Sequence, residues 1–204
     1  MSNVKKFEDT TMPAEYSLLI SENGTGAVYT SEEVAPIVIR AILMSMCDYA
    51  RTLKKKDKPV AVVIDDLAGN ILFGLKVQFL DGTEDNPEGS WNPVWSFDPD
   101  DFADCDIYKI TESRAYAILQ NRAHVLRFRF TTSMNIPSAV RSVANVFVKW
   151  LDENAKEGDT VGAEMSGLFT VKVDVIDGKK VMNFCPDEEL TNLIKDDAKL
   201  QAVE

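Results

Sequence analysis

Nine carboxylates and no Lys or Arg lie between Asp81 and Asp106. The densest part, Asp98-Pro-Asp100-Asp101-Phe-Ala-Asp104-Cys-Asp106, is the first place to look for chemistry. Asp98, Asp100, Asp101, Asp104 and Asp106 could gather around a hard cation such as calcium or magnesium. Their spacing lacks the central glycine and terminal glutamate of a standard calcium loop, so the plainer expectation is a solvated loop kept extended by like charge. His124 is the only histidine. It shares parity with Leu126, Phe128 and Phe130, which predicts the start of a core-facing strand and supplies no partner to orient a general base. Ser166 in Met165-Ser166-Gly167 lacks the flanking glycines of a nucleophile elbow. Gly24-Thr25-Gly26 lacks the lysine and the strand-to-helix spacing of a phosphate loop. Cys47, Cys105 and Cys185 are odd in number, far apart and without histidine, which fits reduced thiols better than a disulfide framework or a zinc site. Asp65 and Asp66 read as turn residues. No catalytic residue is assigned and no cofactor is expected.

Beyond Asp106 the charge reverses. Residues 107–149 carry seven Lys or Arg against Glu112 alone. Arg127 and Arg129 alternate with Phe128 on an expected strand, while Arg114, Arg122, Arg141 and Lys149 fall on neighbouring helices. If they converge, they form a positive strip. It could pair with the acidic segment of its own chain, with that of a neighbouring copy, or with phosphate or single-stranded nucleic acid, the last using Phe128 for stacking. The net charge of −11 opposes any broad contact with nucleic acid or an anionic membrane. Trp91, Trp95, Phe97 and Phe102 interleave with the acids rather than the arginines. That pattern suits a protein contact, with aromatic anchors for energy and charges for register.

The elements that must position these groups follow from periodicity. With 204 residues and 45% hydrophobic content the chain can bury a sizeable core. Residues 1–12 are expected to be a flexible N-terminal segment and residues 13–204 a single α+β domain, with an acidic, aromatic excursion at 81–106. Glu15 to Ser21 and Val28 to Thr30 read as short strands around a Gly-rich turn. Ser31 caps a helix that is apolar almost all round from Ile37 to Leu53, with only Arg40, Asp48 and Arg51 polar, so it must be covered on more than one side. The Lys54-Lys55-Lys56 run follows, favoured by the helix C-terminal dipole. Pro59 to Asp65 and Asn70 to Leu80 read as a hairpin. The excursion reads as mostly loop, with an extended piece at Val94 to Phe97.

A helix over Thr111 to Ala123, a strand over His124 to Thr132 and a second amphipathic helix opened by Pro137 come next. Phe169, Val171, Val173 and Val175 alternate into a second hairpin turned by Asp177-Gly178. Asp187 caps a last helix with Leu190, Leu193, Ile194 and Leu200 inward. The fold expected is therefore an antiparallel sheet of two hairpins and a central strand with three to four helices on it, with the two helix-hairpin units a candidate internal duplication.

The run Pro59-Val-Ala-Val-Val-Ile-Asp65-Asp-Leu-Ala-Gly69-Asn-Ile-Leu-Phe73, after a long apolar helix, resembles the helix and hairpin of profilin-like, roadblock-like and related sensor domains. The resemblance covers about a quarter of the chain and implies a dimerising scaffold or a small-ligand sensor rather than an enzyme, by fold analogy. No signal-peptide core and no long uncharged apolar run is present, so a cytoplasmic protein is expected. The leading expectation is a non-enzymatic protein-interaction or assembly protein. Its partner would be another copy of itself, met through the apolar helix and the complementary charged segments. A ligand or single-stranded nucleic acid binder using the basic strip stands second, and a divalent-metal enzyme using the acidic loop third.

Overall fold

The computed structural model describes residues 5–6, 18–22, 25–29, 31–66, 68–125, 136–154, 156–158, 160–162 and 169–195. The fold is α+β, as expected, with four helices and three small sheets among the described residues. The chain runs β1 (Lys5–Lys6), β2 (Leu18–Glu22), β3 (Thr25–Tyr29), α1 (Ser31–Leu53), β4 (Val60–Asp65), β5 (Ile71–Leu80), β6 (Ser90–Ser96), a 3-10 turn (Pro99–Phe102) and β7 (Asp106–Lys109). It continues with α2 (Ser113–Val125), α3 (Ile136–Asn154), β8 (Thr160–Gly162), β9 (Phe169–Ile176), β10 (Lys179–Pro186) and α4 (Glu188–Lys195).

Both expected hairpins form, Val60 opposite Val77 in one and Phe169 opposite Pro186 in the other. They belong to different sheets, ordered β6-β5-β4-β7 and β1-β8-β9-β10, rather than to one. Neither sheet is purely antiparallel. β7 joins β4 in parallel and β1 joins β8 in parallel, because in each case the chain returns to the sheet from the far end rather than through a tight turn. The pairing of Lys5 and Lys6 with Val161 and Gly162 also gives the N-terminal region one anchor point. The strand expected over His124 to Thr132 is not seen where it can be judged: His124 and Val125 belong to α2, and residues 126–135 lie outside the described residues. α2 runs on past Ala123 because nothing from Asn121 to Val125 breaks a helix.

α1 shows why it is apolar all round. Ala41, Ile42, Leu43, Met46, Cys47 and Ala50 are at most 2% exposed, and the helix is flanked by β4, β5, α2, α3 and α4. Its apolar surface is consumed inside the chain, so the dimerising helix expected from sequence is a core helix. Arg40, Asp48 and Arg51 form the half-buried strip left over. One core of buried side chains runs from α1 through both larger sheets to α3 and α4. At its centre Phe73, Trp95, Phe97, Phe169 and Phe184 form a continuous aromatic cluster, with ring centroids 4.7 to 6.4 Å apart. It joins the two hairpins where β6 lies beside β10.

The excursion is more ordered than a loop. The register Gly74↔Ser96 to Leu80↔Ser90 makes β6 an edge strand of the first sheet. The chain then folds back over the outer face of that sheet as the 3-10 turn. Asp98 caps the turn by accepting the Asp100 N–H at 3.0 Å. Phe102 is fully buried there on Ala61 and Val63. Gly74 makes this possible: a Cβ at that position would stand 2.6 Å from Phe102 Cζ.

Candidate functional site

The four aromatics named as contact anchors divide between the two faces of one sheet. Trp95 stacks on Phe73 at 5.3 Å and is buried, Phe97 packs on Phe73 and Phe184, and Phe102 plugs the opposite face. Trp91 packs edge-on against Phe79, with Lys54 Nζ 4.9 Å from its ring centroid. Trp95 and Phe102 are therefore core residues. Strand alternation aims Trp95 inward, and the fold-back of the 3-10 turn onto the gap at Gly74 buries Phe102, directions that composition alone cannot give.

The acidic residues do not converge. Asp101 accepts the Ser96 hydroxyl at 2.5 Å. Asp104 takes Lys76 Nζ at 2.6 Å, and Asp106 takes Lys55 at 3.0 Å together with Lys58. These lysines hold Asp104 and Asp106 below the usual carboxylate range. Among the described residues no group of three His, Cys, Asp or Glu side chains is placed to share a metal ion. The lysine run after α1 works as a set of staples. Lys54 donates to the Ile194 carbonyl at the end of α4, Lys55 reaches Asp106, and Lys56 lies 4.8 Å from the Phe79 ring centroid. Asp81, Glu84, Asp85, Glu88, Asp98 and Asp100 have no ion-pair partner among the described residues. They sit at the two ends of β6, on the β5–β6 loop and at the start of the 3-10 turn, where Asp98 is the cap and Asp100 lies in the turn. Between them, on the outer sheet face, Val94 and Leu80 are 40% and 44% exposed.

The basic residues are dispersed too, with Arg122 and Arg141 turned inward and Arg114 and Lys149 outward. Arg122 grips Asp48 of α1 with two hydrogen bonds, at 2.5 and 2.8 Å. Arg141 of α3 grips Asp65 through Nε at 3.0 Å and Nη2 at 3.3 Å. Arg114 is exposed and Lys149 pairs with Glu153 one turn on. Arg127, Phe128 and Arg129 lie outside the described residues. Within the described residues the arginines do not form a strip and do not meet the acidic segment.

Asp65, which its sequence context marks as a turn residue, is instead a buried network centre. It is 2% exposed, at the end of β4 where a bulge between Ile64 and Asp65 breaks the register and re-aims the side chain. Besides Arg141, it accepts Lys109 Nζ at 2.8 Å and the Thr111 hydroxyl at 3.4 Å, and Arg141 Nη2 also reaches Thr111 Oγ1 at 3.0 Å. Burial pushes this carboxyl up, but the hydrogen bonds from Arg141 and Lys109 more than reverse that and hold it below the usual range. The network ties β4, β7 and α3 together with every carboxylate oxygen satisfied. The one sequence signal for it is an Asp ending an unbroken apolar strand. Asp66, its neighbour, is the true turn residue, accepting the backbone N–H groups of Ala68 and Asn70 at 2.8 Å.

Cys47 and Cys105 are not poised for nucleophilic work. Burial, and then the Asp104 carboxylate, push Cys105 up to about 11, and burial pushes Cys47 higher still. No helix of the described residues is long and apolar enough to cross a membrane. No protein-family model, curated protein or solved structure matches the chain.

Proposed function

We propose that the protein is a non-enzymatic interaction or assembly protein whose contact surface is formed by the two acidic clusters that flank β6. The observation that carries this reading is the set of six exposed acids at the two ends of β6 with no ion-pair partner among the described residues. In the same molecule Asp48, Asp65, Asp104 and Asp106 all have cationic partners. Leaving like charges crowded at a surface costs stability, a cost that an oppositely charged partner removes. The partner reading favoured here is another copy of the chain, with the apolar helix no longer part of the contact. A cytoplasmic setting agrees with the three free cysteines. Nucleic acid is the less favoured partner because the net charge of −11 repels it and two of the arginines that would hold phosphate, Arg122 and Arg141, are engaged with Asp48 and Asp65.

The test replaces Glu84, Asp85 and Glu88 by Gln, Asn and Gln, which touches no buried group, and follows mass by light scattering after size exclusion. A concentration-dependent mass for the natural chain that falls in the variant supports the reading. A 22.7 kDa monomer at every concentration and salt rules out self-assembly.

A further inference from the structure

Residues 98–105 cross the outer face of the first sheet, from the end of β6 over β5 and β4 to the start of β7. Both ends of the crossing are pinned. Phe97 packs into the inner aromatic cluster on Phe73 and Phe184, and Asp106 donates its N–H to the Pro59 carbonyl at 3.0 Å where the pairing of β4 with β7 begins. Between the pins, among the described residues, the crossing makes no backbone-to-backbone hydrogen bond to the sheet. Asp101, Ala103 and Cys105 donate instead to the carbonyls of Asp98, Asp100 and Phe102, all within the crossing itself.

What holds the crossing down is a small set of side chains. The Phe102 ring is fully buried against Ala61, Val63 and Gly74. Lys76 Nζ donates to the Asp101 carbonyl at 3.3 Å and to the Asp104 carboxylate at 2.6 Å. The Ser96 hydroxyl donates to Asp101 at 2.5 Å and accepts the Asp98 N–H at 3.0 Å. Within 98–105 only Phe102 is buried and Cys105 half-buried, and every other residue is exposed. A segment attached by one apolar ring and the polar grip of two side chains opens at lower cost than the strands beneath it, which are held by full ladders.

We propose that residues 98–105 form a latched strap, which lifts off the sheet as a unit while β4, β5 and β6 stay folded and closes when Phe102 re-enters the gap at Gly74. Lys76 and Ser96 are its catches. Two of the six unpaired acids, Asp98 and Asp100, ride on the strap, so its closing fixes the acidic cluster at that end of β6 in place and its opening frees it. The strap goes beyond the contact reading and stands whether or not those acids meet a partner.

Two cysteines carry the test. Cys105 sits at the end of the strap against the Phe102 plug, whereas Cys47 is fully buried in α1 and is reached only when the whole fold opens. The whole chain is exposed to a bulky maleimide in a urea series below the unfolding transition, with the reagent dilute enough that reclosing outruns reaction. Peptide mass spectrometry reads each cysteine, and the urea-unfolded chain sets the reference rate. Cys105 should react more slowly than in the unfolded chain but about 100-fold or more faster than Cys47, with a weaker urea dependence because lifting the strap bares less surface than unfolding. Ser96→Ala and Lys76→Met should each speed Cys105 about fivefold. Ile42→Val, in the part of the core that stays folded when the strap lifts, should speed Cys47 about fivefold and leave Cys105 unchanged. If Cys105 matches Cys47 in rate and urea dependence, the segment opens only with the whole fold and the strap is overturned. If Cys105 reacts at the unfolded-chain rate, or at a rate that neither urea nor the two latch variants alter, no latch protects it and the strap is likewise overturned.

Discussion

The acidic segment, Asp81 to Asp106, and the basic region that follows it have opposite charge and opposite fates. Arg122 and Arg141 turn inward and bind Asp48 and Asp65, carboxylates on elements far away in sequence. Most of the acids turn outward, and the two with cationic partners take lysines near the sheet edge. The difference follows from the groups themselves. A guanidinium is planar, weakly hydrated and able to grip a carboxylate with two bonds, so it tolerates burial when paired. A loop carboxylate gains little from burial and stays in water. Opposite charges adjacent in sequence therefore need not be partners in space.

That contrast can be broken most severely at Arg141. Replacing it with Met should cost about 3–5 kcal/mol, because Asp65 stays buried with only part of its compensation. Urea unfolding of R141M measures this. The double variant R141M/D65L should recover much of the loss, and a double variant no better than the single would refute the burial argument.

Next in size is the plug that folds the acidic segment back on its sheet. Phe102→Ala should cost about 3–5 kcal/mol through the cavity it leaves. Gly74→Ala, which pushes a methyl into the Phe102 ring, should cost roughly 1–3 kcal/mol. Thermal unfolding of the two variants and their combination checks both, and the combination should be less than additive because the added methyl meets no ring.

Acid separates the inward network from the outward surface. The Asp65 carboxyl is held below its unfolded value, so its contribution is fully present above about pH 4 and is lost as pH falls through the folded pKa. The urea midpoint of the natural chain should therefore fall more steeply than that of D65N as the pH drops below about 4. Equal slopes would remove Asp65 from the acid response.

The smallest effect belongs to Tyr49. Its hydroxyl is buried with no hydrogen-bond partner among the described residues, so Tyr49→Phe should leave the melting midpoint unchanged or raise it. A clear loss of stability would reveal a partner for that hydroxyl.

Much of the fold was legible before the structure. Alternation found β4, β5, β9 and β10, and capping residues marked α1 and α4, where Asp187 accepts the Leu190 N–H at 3.0 Å. The near-absence of a polar face on Ile37 to Leu53 correctly required that helix to be enclosed, but not by what. The site was less legible. Trp95 and Phe102 look like exposed anchors in a list of residues because β6 and the 3-10 turn are set by pairing with β5 and by the gap at Gly74, both distant in sequence. Asp65 looks like a turn residue because its three partners come from β7, the segment after it and α3.

The sequence by itself determined the local periodicities, the class of fold and the two blocks of charge, since these depend on neighbours a few residues apart. Only the tertiary structure decided that the hairpins lie in separate mixed sheets, that the apolar helix is core and that the arginines answer to Asp48 and Asp65. Those outcomes depend on which elements meet. That is a contest among long-range contacts whose energies depend on burial and geometry rather than on any local pattern.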